Sequence, residues 1–169
     1  MFTATAETAL LTVTLLARTE PDKRVPTMAL AKAVHSTPPY LSKILVRLSA
    51  AGLLDGEKGR SGGYRLARSP RDITMADVIT VFDEFPTPMR GRQPFCEGCP
   101  TPCGSDAVMR WACDAIHMAL NATTIEQYAN TCPNMQRALD IVASFGSPAH
   151  PRKPTLRSRA GPHRKRQSA

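Results

Sequence analysis

Apolar residues recur every three to four positions along much of the chain, in blocks divided by polar punctuation. Residues 6–18 predict an amphipathic helix with Leu10, Val13, Leu16 and Ala17 on one side. The polar break TEPDKRVP ends it. Thr27 is placed to cap a short helix over 28–34, and His35-Ser36 form a turn. Thr37 then stands as N-cap, with Pro38 at the first helical position, where its missing N–H costs nothing. The helix that follows buries Leu41, Ile44, Leu45 and Leu48, exposes Ser42, Lys43 and Arg47, and stops at Gly52.

Two short strand patterns come next, LLDGEKG and GYRLAR, around a basic tip with Gly62-Gly63. Thr74 starts a helix over 74–85, with Asp77 where a capping-box acid belongs. Five prolines between Pro86 and Pro102 predict an irregular loop. The longest helix spans 106–121 and carries a stripe of Val108, Trp111, Ala112, Ala115, Ala119 and Leu120. So small a domain has little core left for that stripe, so a partner helix in a homodimer is expected to bury it. Thr123 and Glu126 form a second capping-box pattern and start a last short helix.

The fold class expected is mostly α with a small β-hairpin wing. Its parts are a winged helix-turn-helix over 1–84, a cysteine-rich loop over 85–105, a dimerisation helix with a C-terminal helical segment over 106–146, and a basic tail over 147–169. That tail has seven Lys/Arg, four prolines and no acid, and is expected to be disordered and to add sequence-independent phosphate affinity.

Charge sharpens the picture. The chain of 169 residues has a formal charge of +8, of which residues 24–68 carry +6 and residues 69–146 carry −4. A basic block on a helix–turn–helix–hairpin points to double-stranded DNA. In that arrangement Thr37, Tyr40, Ser42 and Lys43 face base edges, and Arg47 lies nearer the phosphates. Lys58, Arg60 and Arg65 of the hairpin reach a neighbouring groove or phosphate, and Gly62 and Gly63 permit close backbone approach and positive φ. No phosphate loop, triad pattern or paired carboxylates argues for an enzyme. No targeting segment or membrane-length apolar run is evident, so a cytoplasmic protein is expected.

The remaining chemistry is FCEGCPTPCG, which spaces Cys96, Cys99 and Cys103 as C-x2-C-x3-C. Thiolates are soft donors that select iron–sulfur clusters, zinc or copper(I). Gly98 and Gly104 allow the turns that convergence on one centre requires. An iron–sulfur cluster, a zinc site and a thiol–disulfide switch at Cys96 and Cys99 are the readings open at this point. Cys113 and Cys132 read as ordinary buried helix cysteines.

The runs Thr37-Pro-Pro-Tyr-Leu-Ser-Lys-Ile-Leu, Ala51-Gly-Leu-Leu, Gly59-Arg-Ser-Gly-Gly-Tyr-Arg-Leu-Ala-Arg and Ile73-Thr-Met-Ala-Asp-Val-Ile, with Trp111 and Thr124-Ile, resemble the Rrf2 family of bacterial regulators over about residues 5–130. The resemblance implies a homodimeric winged-helix repressor or activator. It also implies a two-iron or four-iron cluster on the three cysteines, as in the IscR and NsrR types that sense redox, nitric oxide or iron–sulfur status. The fourth ligand it implies is Glu7 of the partner subunit's first helix or His35 beside the helix-turn-helix. Three positions differ from the family pattern: the cysteines are more tightly spaced, Ser42 replaces an acidic base-reading residue, and Lys58 stands where the wing Arg is usual.

Overall fold

The computed structural model describes residues 2–59, 62–84, 104–132 and 135–146, and among these it carries seven α-helices and one hairpin. Helix α1 (Ala4–Ala17) starts at Thr3, whose side chain accepts from the Ala6 N–H. It is not one-sided as expected. Ala6, Ala9, Leu10 and every residue from Thr12 to Leu16 are buried. Thr12 and Thr14 hide their hydroxyls by donating to the carbonyls of Thr8 and Leu10, each at 2.7 Å. A threonine that satisfies itself four residues back counts as core, which the pattern of residue types does not disclose.

Helices α2 (Thr27–Ala33) and α3 (Pro38–Ala50) form the helix-turn-helix. Pro26 occupies the cap position of α2, so Thr27 is its first helical residue and makes no side-chain cap. Thr37 caps α3 by position only: its side chain makes no cap bond, and the prolines at 38 and 39 leave the first two helical positions without an N–H. The turn between them places His35 at φ +53°, and Gly52 ends the α3 segment at φ +70°. Leu41, Ile44, Leu45 and Leu48 are buried as the spacing predicts, against Leu15, Leu30, Leu53 and Ile73.

Strands β1 (Leu54–Glu57) and β2 (Gly63–Leu66) pair antiparallel, with Asp55 opposite Arg65 and Gly56 opposite Tyr64. Val25, from the α1–α2 connection, adds a third line of backbone. Its N–H and carbonyl bond the carbonyl and N–H of Tyr64 at 2.9 and 3.0 Å. Gly63 makes this possible: a Cβ there would lie 2.5 Å from the Val25 carbonyl oxygen. Positive φ belongs to Gly59 (+123°), not to Gly63.

Helix α4 (Met75–Ile79) has the expected capping box of Thr74 and Asp77 but is far shorter than 74–85. Ile79, Thr80 and Val81 are three β-branched residues in a row, and the Thr80 hydroxyl bonds back to the Ala76 carbonyl at 2.8 Å. Helix α5 spans Gly104–Ala122. The next helix, α6 (Ile125–Thr131), starts one residue later than expected, with a capping box of Thr124 and Gln127 instead of Thr123 and Glu126. Thr123 instead bonds back to the Ala119 carbonyl. The two capping boxes sit side by side, joined by an antiparallel bridge between Thr74 and Thr124.

A further helix, α7 (Met135–Gly146), goes beyond the last short helix expected. It packs on α2 and α1, puts Met135 and Val142 into the core, and receives the Lys32 ammonium 5.8 Å above the Phe145 ring. Of the stripe predicted on α5, Val108 and Trp111 are 64% and 73% exposed, and Met118 beside it is 69% exposed. Cys113 is buried, whereas Cys132 is half-buried and follows α6 instead of lying within it. Among the described residues no helix is long and apolar enough to cross a membrane. Cys96, Cys99 and Cys103, Arg60 and the tail over 147–169 lie outside the described residues.

Candidate nucleic-acid interface

Burying Leu41, Ile44, Leu45 and Leu48 fixes which side of α3 faces outward. That outer side carries Tyr40, Lys43, Val46 and Arg47, with Thr37 at its start and Ser42 half-buried beside them. Thr37, Ser42 and Lys43 make no side-chain hydrogen bond or ion pair among the described residues. Val46 is 60% exposed on the same surface and was not singled out from the sequence. Its signal was its place outside the buried i, i+3, i+4, i+7 set, and an exposed methyl pair there suits a thymine methyl group.

Two residues of this helix are tied to the protein itself. The Tyr40 hydroxyl lies 2.9 Å from the Thr5 hydroxyl on α1. Arg47 donates to the Val81 carbonyl, and its guanidinium stands 4.5 Å over the Phe82 ring. The segment that receives Arg47 is anchored again two residues on. Asp83 accepts from the Thr3 N–H and the Thr3 hydroxyl, each at 2.7 Å. These two bonds hold the Asp83 carboxyl below the usual carboxylate range. Arg47 and Asp83 thus clamp the same short stretch to α3 and to α1.

The hairpin lies next to α3 in the chain. Lys58, near its tip, is exposed and forms no ion pair among the described residues. At Gly62 a Cβ would meet the Glu57 carbonyl oxygen at 2.3 Å, so Gly62 lies against the β1 backbone and admits no side chain.

Arg65 lies elsewhere than at the tip. Its Nε donates to Asp55 Oδ2 at 3.0 Å and its Nη1 to Asp22 Oδ1 at 3.1 Å. Arg24 joins the cluster from the α1–α2 connection. It bonds Asp55 Oδ2 at 2.8 Å, the Asp55 carbonyl at 3.0 Å and Glu57 Oε2 at 2.9 Å. The Arg24 and Arg65 guanidinium groups hold the Asp55 carboxyl below the ordinary carboxylate range. Sequence reading missed Arg24 and the partners of Arg65. The hairpin register, which sets 55 against 65, was the available signal.

Glu7 is exposed in the first turn of α1. His35 is exposed at the helix-turn-helix turn and lines an open groove of about 860 Å³ with Leu11, Tyr128, Cys132 and Arg137. Burial, with Cys132 beside it, pushes the Tyr128 hydroxyl up. Among the described residues no three His, Cys, Asp or Glu side chains stand close enough to hold a metal ion.

The model of the Rrf2 family, described as an iron-dependent transcriptional regulator, matches residues 2–131. The protein aau3 of Rhizobium meliloti is 32% identical over 120 residues, covering 70% of this chain and 77% of its own. The helix-turn-helix regulator IscR of Photorhabdus laumondii is 30% identical over 138 residues, covering 80% of this chain and 79% of its own. Among solved structures, CymR, the global cysteine regulator of Bacillus subtilis, superposes with a TM-score of 0.66 at 23% identity, covering 78% of this chain and 98% of its own.

Proposed function

The chain belongs to the Rrf2 family of transcriptional regulators, and from that premise we propose that it is a homodimer whose affinity for a DNA operator is set by an iron–sulfur cluster. The observation that carries DNA recognition is the outer face of α3. There Thr37, Ser42 and Lys43 have no intramolecular partner to give up when they meet DNA. With α3 in the major groove, these residues and Val46 reach base edges. Lys58 and Arg60 supply the wing's phosphate contacts, and Gly62 keeps its tip slim enough to approach. The exposed Val108, Trp111 and Met118 on α5 support a second copy of this chain as the dimer partner.

For the cluster, the donor chemistry fits. Three thiolates at C-x2-C-x3-C suit iron–sulfur ligation, and the family description is of iron dependence. Cys96, Cys99 and Cys103 would hold it, with the exposed Glu7 of the partner subunit or the exposed His35 as fourth ligand. When bound, the cluster supplies redox and nitric-oxide reactivity. The chain's own contribution is to link the entry of the cysteine segment to the reading head. Residues 81–83, just before that segment, are bonded to Arg47 on α3 and to Thr3 at the start of α1.

Anaerobic purification tests the reading. A brown protein with stoichiometric iron and acid-labile sulfide, whose colour is lost on Cys96→Ala, Cys99→Ala or Cys103→Ala, supports it. A colourless protein with one zinc per subunit, or one with neither metal and a reversible Cys96–Cys99 disulfide, replaces the cluster with a structural metal or a thiol switch. Glu7→Ala and His35→Ala that both leave the spectrum unchanged discard both fourth ligands.

A further inference from the structure

The cluster at the root of the wing has a composition opposite to what a DNA-facing hairpin would be given by charge counting. Five groups meet there: Arg24 and Arg65, against Asp22, Asp55 and Glu57. Two positive and three negative charges leave the cluster at −1. Asp55 is its hub, because one oxygen, Oδ2, accepts from both arginines at 2.8 and 3.0 Å. Asp55 and Glu57 share one face of β1 through the two-residue strand period, and Arg65 stands directly opposite Asp55. Arg24 is the most enclosed member, with a side chain 21% exposed and bonds at Nε, Nη1 and Nη2.

We propose that Asp55, assisted by Asp22 and Glu57, withholds Arg24 and Arg65 from the DNA backbone, so that the wing does not grip any duplex it meets. The inference rests on the DNA-binding reading above. Phosphate contacts raise affinity for all sequences alike, and each one that forms adds to the salt dependence of binding. A phosphate reaching Arg65 would have to break two ion pairs and come to rest beside Asp55 and Asp22. An arginine occupied in this way orients the hairpin but adds nothing to sequence-independent affinity. The acidic residues therefore act as specificity determinants without touching a base.

The test uses the full chain and a mixed-sequence 30-base-pair duplex, with the association constant measured by fluorescence anisotropy across a salt series. Asp55→Asn with Glu57→Gln keeps the shapes and removes the two charges. It is expected to bind this duplex at least tenfold more tightly at low salt. Its plot of log K against log salt should steepen by up to about 0.9 for each arginine released. Adding Arg24→Gln and Arg65→Gln in the same background should return the slope to the starting value. Glu84→Gln with Asp140→Asn, an equal change of charge on other elements, should leave the slope unchanged. An unchanged slope in the folded Asp55/Glu57 variant overturns the proposal. So does an equal steepening in the Glu84/Asp140 control, which would make the effect one of net charge. If circular dichroism shows the double variant unfolded, Asp55→Asn alone removes the charge that both arginines share and must still steepen the slope. If neither variant folds, the cluster is purely structural and the proposal is overturned. A starting protein with no salt-dependent duplex binding refutes the DNA-binding reading itself.

Discussion

Replacing Gly63 by alanine should separate the wing from the body of the protein. The added Cβ would lie 2.5 Å from the Val25 carbonyl oxygen, 2.7 Å from its carbon and 3.0 Å from the Pro26 nitrogen. All three are backbone atoms, so no side chain can swing aside. Reaching an ordinary contact of about 3.5 Å requires the Val25 segment to retreat by about 1 Å. The two bonds between Val25 and Tyr64, now 2.9 and 3.0 Å, then stretch beyond hydrogen-bond range. Each is worth about 0.5–1.5 kcal/mol net, so the loss is about 2 kcal/mol. For a chain of this size that corresponds to a fall in Tm of about 4–8 °C. Thermal unfolding followed by circular dichroism measures it. Gly59→Ala is the comparison, since a Cβ at Gly59 meets open space and only its φ of +123° is strained. A Gly63→Ala protein that melts within 1 °C of the parent would refute the close-approach argument.

Other consequences are as direct. Lys43→Gln removes one uncommitted cation from α3 and should flatten the salt slope of duplex binding by about 0.9, read in the same anisotropy series. Leu45→Ala empties a site that is 0% exposed and should cost about 2–5 kcal/mol in urea unfolding, with the m-value unchanged. The Asp83 carboxyl is held below its ordinary value by its two bonds to Thr3. A depressed folded pKa means that its stabilisation is complete above the unfolded value of 3.8 and is lost as pH falls through the lower folded value. Asp83→Asn should therefore narrow the gap in acid stability between pH 5 and pH 3, measured by unfolding at each pH.

The helix-turn-helix was legible because α3 obeys its own period. Leu41, Ile44, Leu45 and Leu48 bury, Pro38 opens the helix, and Gly52 closes it at positive φ. The hairpin was legible from its own glycines: Gly62 and Gly63 sit where backbone meets backbone. What escaped was set by partners distant in sequence. α1 reads as half polar, yet α3, α4 and α6 pack around it and its threonines turn inward on their own helix. Arg65 and Arg47 have the residue type of DNA contacts, but Asp22, Asp55, Val81 and Phe82 reach them first. α7 was legible in principle, since Met135, Ala138, Leu139, Val142 and Phe145 recur at helical spacing, but the local pattern does not show that α2 and α1 supply the surface it closes on. The second capping box was found one residue early, since Thr123-Glu126 and Thr124-Gln127 read alike until Thr123 is seen bonding back to Ala119.

Trp111 is the chain's one tryptophan, and it stands 73% exposed near the middle of α5. The molecule therefore carries a built-in optical probe at the surface proposed above for a second copy. In a lone subunit the indole is bathed in water and emits to the red. Against a partner helix it is dried, and the emission moves to the blue. A dilution series excited at the tryptophan band would report assembly without a dye, and adding duplex to each point would show whether operator and partner are gained together.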